Sequence, residues 1–260
     1  MTTSDRVRRA ISWRLDPVLM MRDAGFEPDP HQIELLECED PQTLVVWPRQ
    51  SGKSQTCAVK LLHGSCFDPG DTVILAGEKQ QQAQEVFEKA YAMHSELSKI
   101  GDLPNVTRSG DELIFSNGSR ILAKPSTVES VRGYSAKRAL IDEAAFTGDD
   151  TLAKIAPMLS ATNGQLICAS TPNGARGWFH DAWHHGGDAW RRLTVSVDKL
   201  PRLSQRELAR QRTLLTDIQF RQEFLLEWLD AEQQFFPTEV ILAARRPDIV
   251  PLFKRLKEAA

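Results

Sequence analysis

Two stretches of this sequence bring charged and hydroxyl side chains together where phosphate chemistry needs them. In the first, VVWPRQSGKSQT from Val45 to Thr56, an apolar run leads into Gly52, Lys53 and Ser54. A glycine closing a tight loop lets backbone N–H groups at a helix N-terminus face an anion. The next lysine can reach the β- and γ-phosphates of a nucleotide, and the following hydroxyl can take a position on Mg2+. Pro48, Arg49, Gln50, Ser51 and Gln55 complete the candidate cradle. The general pattern G-x-x-x-x-G-K-[ST] would put its first glycine where this chain has Trp47, and Arg49 adds a charge inside the loop. Taken alone, the tripeptide reads equally well as an ordinary helix start.

The second stretch, RALIDEAAF, is an apolar strand ending in adjacent acids, Asp142 and Glu143. Two ionised carboxylates there are costly to bury without a cation or donors. This is the Walker B arrangement, in which Asp142 holds the hydration shell of Mg2+ and Glu143 polarises a water. Strand ends converge on the ligand crevice of an open α/β sheet, which brings the two stretches into one site. A glutamate beside the metal-binding aspartate favours hydrolysis of the nucleotide over transfer to a small molecule.

The elements that must position these residues alternate in type. Strand-like runs at Thr43, Thr72, Ile141, Ile167 and Val195 alternate with helical segments, including one from about Lys79 to Lys99 and others over 150–159 and 178–184. That rhythm predicts a largely parallel sheet covered on both faces, with five buried strands. DELIFSNGSRILAKP interrupts it with an antiparallel ribbon turning at Asn117-Gly118. Beyond Pro201 only helical patterns remain, SQRELARQRTLL and DIQFRQEFLLEWL, and these predict a small lid or linker subdomain over 201–260 following a core over 1–200.

Bulk properties narrow the class. With 41% hydrophobic and 26% charged residues, the chain has the composition of a globular protein and not of a disordered one. Its longest apolar runs are far too short to span a bilayer, and the basic N-terminus lacks the apolar block of a secretion signal, which predicts a cytosolic location. Cys38, Cys57, Cys66 and Cys168 have no C-x-x-C spacing, and three of them sit inside apolar or helical patterns that read as reduced, buried thiols. A net charge of −3 does not announce a nucleic-acid binder, although a pore or patch needs only local positive charge.

The assembled motifs resemble the ATPase domain of the large terminase subunit, the DNA-packaging motor of tailed bacteriophages. PRQSGKS is similar to that family's arginine-containing loop, DPHQIELLE to its adenine-recognition motif, VRGYSAKRALIDEAAF to its R-G segment leading into Walker B, and ASTPNG to its coupling motif. The resemblance implies an α/β P-loop NTPase of the additional-strand, RecA-like (ASCE) type. It also implies ATP and Mg2+ as cofactors, adenine contact by Gln32 and a coupling role for Thr171. TPNG is equally a good turn sequence, and Gln32 an ordinary residue of a helix start. Two arginines compete for the transition-state role: Arg49 in cis, and Arg132 as a finger offered to a neighbouring subunit. The resemblance favours Arg132 in trans, with Arg49 positioning phosphate; the sequence assigns neither.

The same resemblance implies double-stranded DNA, a homo-oligomeric ring, a portal protein and a small terminase subunit as partners. The implied setting is the cytoplasm of an infected bacterium, with transient association with a procapsid. The sequence is expected to be the ATPase half alone, either a piece of a longer protein or a protein whose nuclease lies elsewhere, because Asp230, Glu232, Asp248 and Glu258 are too scattered to suggest a two-metal site. For DNA contact the sequence offers Arg202, Arg206 and Arg210 at four-residue spacing on one expected helix, and the pairs Arg191-Arg192 and Arg245-Arg246. A solvated helix face explains the first set equally well. Another additional-strand DNA translocase or helicase-like ATPase, and a nucleotide-binding module without turnover, are the rival readings.

Overall fold

The structure is a computed structural model describing residues 2–125 and 134–229. Eight strands form one sheet in the order β3-β4-β5-β2-β6-β7-β1-β8. They are β1 (Gln42–Val46), β2 (Thr72–Gly77), β3 (Val106–Ser109), β4 (Glu112–Phe115), β5 (Arg120–Pro125), β6 (Arg138–Asp142), β7 (Gln165–Ser170) and β8 (Arg191–Thr194). From β5 to β8 every pairing is parallel; β3 and β4 are antiparallel additions at one edge. The ribbon expected around Asn117-Gly118 is thus present, but its second arm is a member of the parallel sheet and its first arm carries a further strand, β3, that the sequence reading did not include.

Strand periodicity explains the two cores. Val45, Val73, Leu75, Leu140, Ile167 and Ala169 face one side of the sheet, while Leu44, Val46, Ile74, Ile141, Leu166 and Cys168 face the other. The first side is covered by α1 (Thr3–Leu15), α2 (Pro17–Asp23), α3 (Pro30–Glu37), α4 (Lys53–Phe67) and α5 (Gln80–Leu97). The second is covered by α6 (Thr151–Ser160) and α7 (Gly177–His185). Burial on both faces is why the central strands read as continuous apolar runs. β8 departs from the expectation of five buried strands: it is an edge strand with only Leu193 buried among its four residues.

After β8 come α8 (Gln205–Leu214) and α9 (Asp217–Glu223). Leu200, Leu203, Phe220 and Phe224 join the first core directly. The helical pattern expected through Leu229 ends at Glu223, and Leu226 adopts a left-handed φ of 58°. Arg202 precedes α8, so the three arginines expected on one helix do not share one. All four cysteines are buried and free, and among the described residues no helix is long and apolar enough to cross a membrane.

Candidate active site

Strand order decides what converges. β7 lies between β1, which leads into the glycine loop, and β6, which ends in the acids. In register, Val46 pairs with Ser170 and Asp142 with Ala169, so the C-terminal ends of the three strands finish together. The crevice beyond such ends is where open α/β sheets hold ligands.

The loop is built from below. Trp47, standing where the general motif has glycine, is fully buried in the first core and packs edge-on against the His31 ring at 4.6 Å. The Trp47 side chain therefore anchors the loop's start instead of loosening it. Gln50 has φ 63° and Gly52 has φ 82°, and Gly52 is the N-cap of α4. Burial lowers the His31 pKa, so the ring is neutral at neutral pH; its Nε2 meets the Ser51 carbonyl at 3.1 Å and donates to it in the Nε2–H tautomer. Gln32 Nε2 donates to the same carbonyl at 3.2 Å.

Gln32 is fully buried, and both ends of its amide are in use. Its Oε1 accepts from the Asp29 N–H at 2.9 Å and from Arg202 Nη2 at 3.3 Å. Arg202 in turn pairs with Asp29 at 3.3 Å. The structure thus places Gln32 against the loop at Ser51 and Gly52. The stretch DPHQIELLE marks Gln32, but its hold on the Ser51 carbonyl follows from α3 docking against the loop from another part of the chain.

Lys53 opens α4 and is buried, as is Asp142 at the end of β6. Burial pushes the Asp142 carboxyl up to about 6, against the pull of the Lys53 charge and with a push from Glu143. Glu143 occupies the left-handed region at φ 51°, ψ 46°, a conformation costing about 1–2 kcal/mol for a residue with a side chain. Its backbone N–H donates to Asp142 Oδ1 at 3.1 Å.

Ser170 is a residue the sequence reading passed over in favour of its neighbour. It is fully buried; its hydroxyl donates to Glu143 Oε2 at 3.3 Å and accepts from the Ala145 N–H at 3.2 Å. Thr171 follows, buried, and Asn173 Nδ2 donates to the Ala145 carbonyl at 3.2 Å. The TPNG turn is therefore stitched to the segment carrying the acids. Pro48, Ser54 and Gln55 lie in the loop and first turn of α4, with Gln55 Nε2 donating to Met93 Sδ at 2.9 Å. Arg132 lies outside the described residues, as do Asp230, Glu232, Asp248, Glu258 and the Arg245-Arg246 pair.

The residues present fit a magnesium nucleotide. Ser51 Oγ is buried in the loop with no hydrogen-bond partner among the described residues, and Asp142 is a buried carboxylate whose pKa burial raises against the lowering effect of the Lys53 charge. Among the described residues no cluster of three His, Cys, Asp or Glu is placed to hold a metal. Mg2+ does not need one, because in phosphate sites it takes one or two carboxylates and fills its shell with phosphate oxygens and water.

The basic residues considered for DNA are partly committed elsewhere. Arg192 donates to the carbonyls of Ala182, Trp183, Gly187 and Trp190 at the end of α7, and Arg191 pairs with Glu34 at 2.8 Å. Arg202 is engaged at Gln32 and Asp29, and Arg210 pairs with Glu207 at 3.6 Å.

Comparison with known proteins gives the arrangement its relatives. The fold is similar to that of the large terminase ATPase domain of Thermus phage P74-26, with TM-score 0.70 and 20% identity over 80% of this chain and 97% of that one. It is similar to the large terminase of a thermophilic bacteriophage solved with ADP, with TM-score 0.65 and 14% identity over 77% of this chain, and to the HK97 bacteriophage large terminase, with TM-score 0.56 and 20% identity over 75%. The matches span 54% and 46% of those two chains, so this chain corresponds to about half their length. The family model described as "Terminase large subunit, T4likevirus-type, N-terminal" matches residues 44–242, and the chain belongs to that family as its N-terminal domain.

Proposed function

We propose that this chain hydrolyses ATP to drive double-stranded DNA into a viral procapsid. The observation that carries the reading is the common ending of β1, β6 and β7, which gathers Lys53, Asp142, Glu143 and Ser170 at one crevice. In this reading the backbone N–H groups at the start of α4 and Lys53 bind the phosphates, and Asp142 and the Ser54 hydroxyl would hold Mg2+. The ion supplies charge neutralisation on the phosphate oxygens. Glu143, held by Ser170, orients the attacking water and takes its proton. Gln32 holds the loop through the Ser51 carbonyl and contacts the adenine as the family resemblance implies, while Thr171 and the TPNG turn pass the state of the acids to the rest of the molecule.

Arg49 positions the terminal phosphate within the same chain, and Arg132 completes a neighbour's site in a ring of identical subunits. Residues 1–200 act as the motor core and 201–260 as a lid or linker. The portal and the small terminase subunit are the proposed partners, in the cytoplasm of an infected cell with transient docking on the procapsid. The large terminase of the thermophilic bacteriophage has been solved with ADP and with ATP-γ-S, which supports nucleotide binding by this fold. Phosphate release with Mg2+-ATP, compared between wild type and Lys53→Ala, tests the reading; nucleotide binding without release would leave a regulatory module instead.

A further inference from the structure

The turn that follows Glu143 is held from outside its own strand. Glu143 keeps its left-handed backbone where β6 ends, and a single 3-10 turn, Ala144–Phe146, comes next. The Phe146 N–H donates to the Glu143 carbonyl at 2.9 Å and the Thr147 N–H to the Ala144 carbonyl at 3.2 Å. Two hydrogen bonds in one short turn are a weak constraint by themselves. A sparsely populated backbone conformation persists only where its surroundings over-determine it.

Trp178, the second residue of α7, supplies a further constraint. Its indole Nε1–H donates to Thr147 Oγ1 at 3.0 Å, and that hydroxyl donates in turn to the Ala144 carbonyl at 2.9 Å. The Trp178 backbone N–H donates to Asp149 Oδ1 at 2.9 Å, so one residue of α7 grips the segment at both Thr147 and Asp149. Thr147 and Trp178 are both buried, where a hydrogen bond is electrostatically stronger than in water and costly to lose. A phenylalanine would fill much of the same apolar space; the directed N–H is what an indole adds. Ser170 and Asn173 hold Ala145 from the β7 side, so the turn is fixed to β7 and α7 together.

We propose that Trp178 is a positioning residue for hydrolysis: through Thr147 its indole N–H fixes the turn that follows Glu143, and with it the direction in which the Glu143 carboxylate meets water. Trp178 itself touches no nucleotide in this account. The inference rests on the proposed nucleotide site and adds to it a residue outside the phosphate loop, the acids and the TPNG turn.

The test uses the full chain with Mg2+-ATP and measures kcat and KM, with ATP-γ-S titrated in parallel to count active sites. The variants are Trp178→Phe, Thr147→Val, Thr147→Ser and the double variant Trp178→Phe/Thr147→Val. Trp178→Phe keeps a ring in the core and deletes the N–H, so kcat per active site falls about three- to tenfold, the scale of one buried hydrogen bond, while KM stays within about twofold. Thr147→Val falls likewise, and the double variant falls no further than Thr147→Val alone. Thr147→Ser keeps the hydroxyl and recovers most of the rate that Thr147→Val loses, a comparison that serves if Trp178→Phe does not fold. In a Glu143→Gln background Trp178→Phe leaves the residual rate unchanged, because it acts only through that carboxylate. Core packing alone would lower Tm and leave kcat per active site at the wild-type value, a result that overturns the inference while the nucleotide site stands. A change confined to KM, or a loss that persists undiminished in the Glu143→Gln background, overturns it as well. Absence of phosphate release by wild type would instead overturn the functional reading, and this inference with it.

Discussion

Gln32 lies directly against the α-carbon of Gly52: a Cβ built there would overlap the Gln32 amide nitrogen. Gly52 also holds φ 82°, so Gly52→Ala meets two separate penalties, about 1–2 kcal/mol of backbone strain and the displacement of a buried amide. We expect a lowered Tm together with at least roughly tenfold weaker nucleotide binding. Gly70→Ala is the control, because Gly70 has φ 74° but open space around it. It should lower Tm by the strain alone and leave nucleotide affinity intact.

Gln32→Ala separates two roles for this side chain. Removing the amide strips one donor from the Ser51 carbonyl and an acceptor from the Asp29 N–H and Arg202. Because those contacts are made to the loop, the loss of loop support alone lowers affinity for ATP and for GTP by the same factor, roughly three- to tenfold for the loss of one or two hydrogen bonds. Competition binding with the two nucleotides measures it, and an additional, selective loss of ATP would report the adenine contact implied by the family resemblance.

Ser170→Ala removes the hydroxyl that holds Glu143 Oε2. Ser170 itself has no place on the phosphates in this account, so kcat should fall about tenfold while KM for ATP stays within about twofold. Parallel steady-state curves for wild type and variant check the split. A change confined to KM would place Ser170 in nucleotide binding.

Asp142 is a site residue that costs stability. Its folded carboxyl titrates at about 6, above the ordinary aspartate value of 3.8. The folded state therefore keeps a proton that the unfolded chain has released between about pH 4 and 6, and stability falls as pH rises through that window. At pH 7 nearly the whole penalty is present. In EDTA at pH 7, Asp142→Asn should melt higher than wild type, and the gain should shrink toward pH 4. With Mg2+-ATP the same variant should lose hydrolysis.

The buried histidines act in the opposite sense. Burial lowers the pKa of His94, whose Nε2 meets the Pro104 carbonyl at 2.9 Å. The unfolded chain takes up a proton near pH 6.5 that the folded ring resists, so stability from this group is present above that pH and lost as pH falls below it. His94→Gln should lower Tm at about pH 7.5 and flatten the acid slope between about pH 6.5 and 5.5 in thermal melts.

Much of the central sheet was legible because burial on both faces leaves unbroken β-branched runs, and the acids at the end of β6 stand out against theirs. β3 was not, since Arg108 and its neighbours are exposed and carry little apolar pattern. The end of α9 was hidden too, because Leu226 turns left-handed without a glycine to announce it. Gly52, Lys53, Asp142 and Glu143 could be found from local pattern. Ser170 and the Gln32 contact with the Ser51 carbonyl could not, because each depends on strand register or on docking between segments distant in the chain. Arg132, the residue on which the ring reading leans, falls outside the described residues.

The central claim is that Glu143 drives water attack on a nucleotide held by Lys53. The most direct measurement is single-turnover phosphate release from Mg2+-ATP by assembled wild type, Glu143→Gln and Lys53→Ala, with nucleotide binding followed in parallel. The account predicts that Glu143→Gln binds ATP as tightly as wild type and releases phosphate at least about a hundredfold more slowly, whereas Lys53→Ala loses binding itself. Wild-type phosphate release by Glu143→Gln would contradict it.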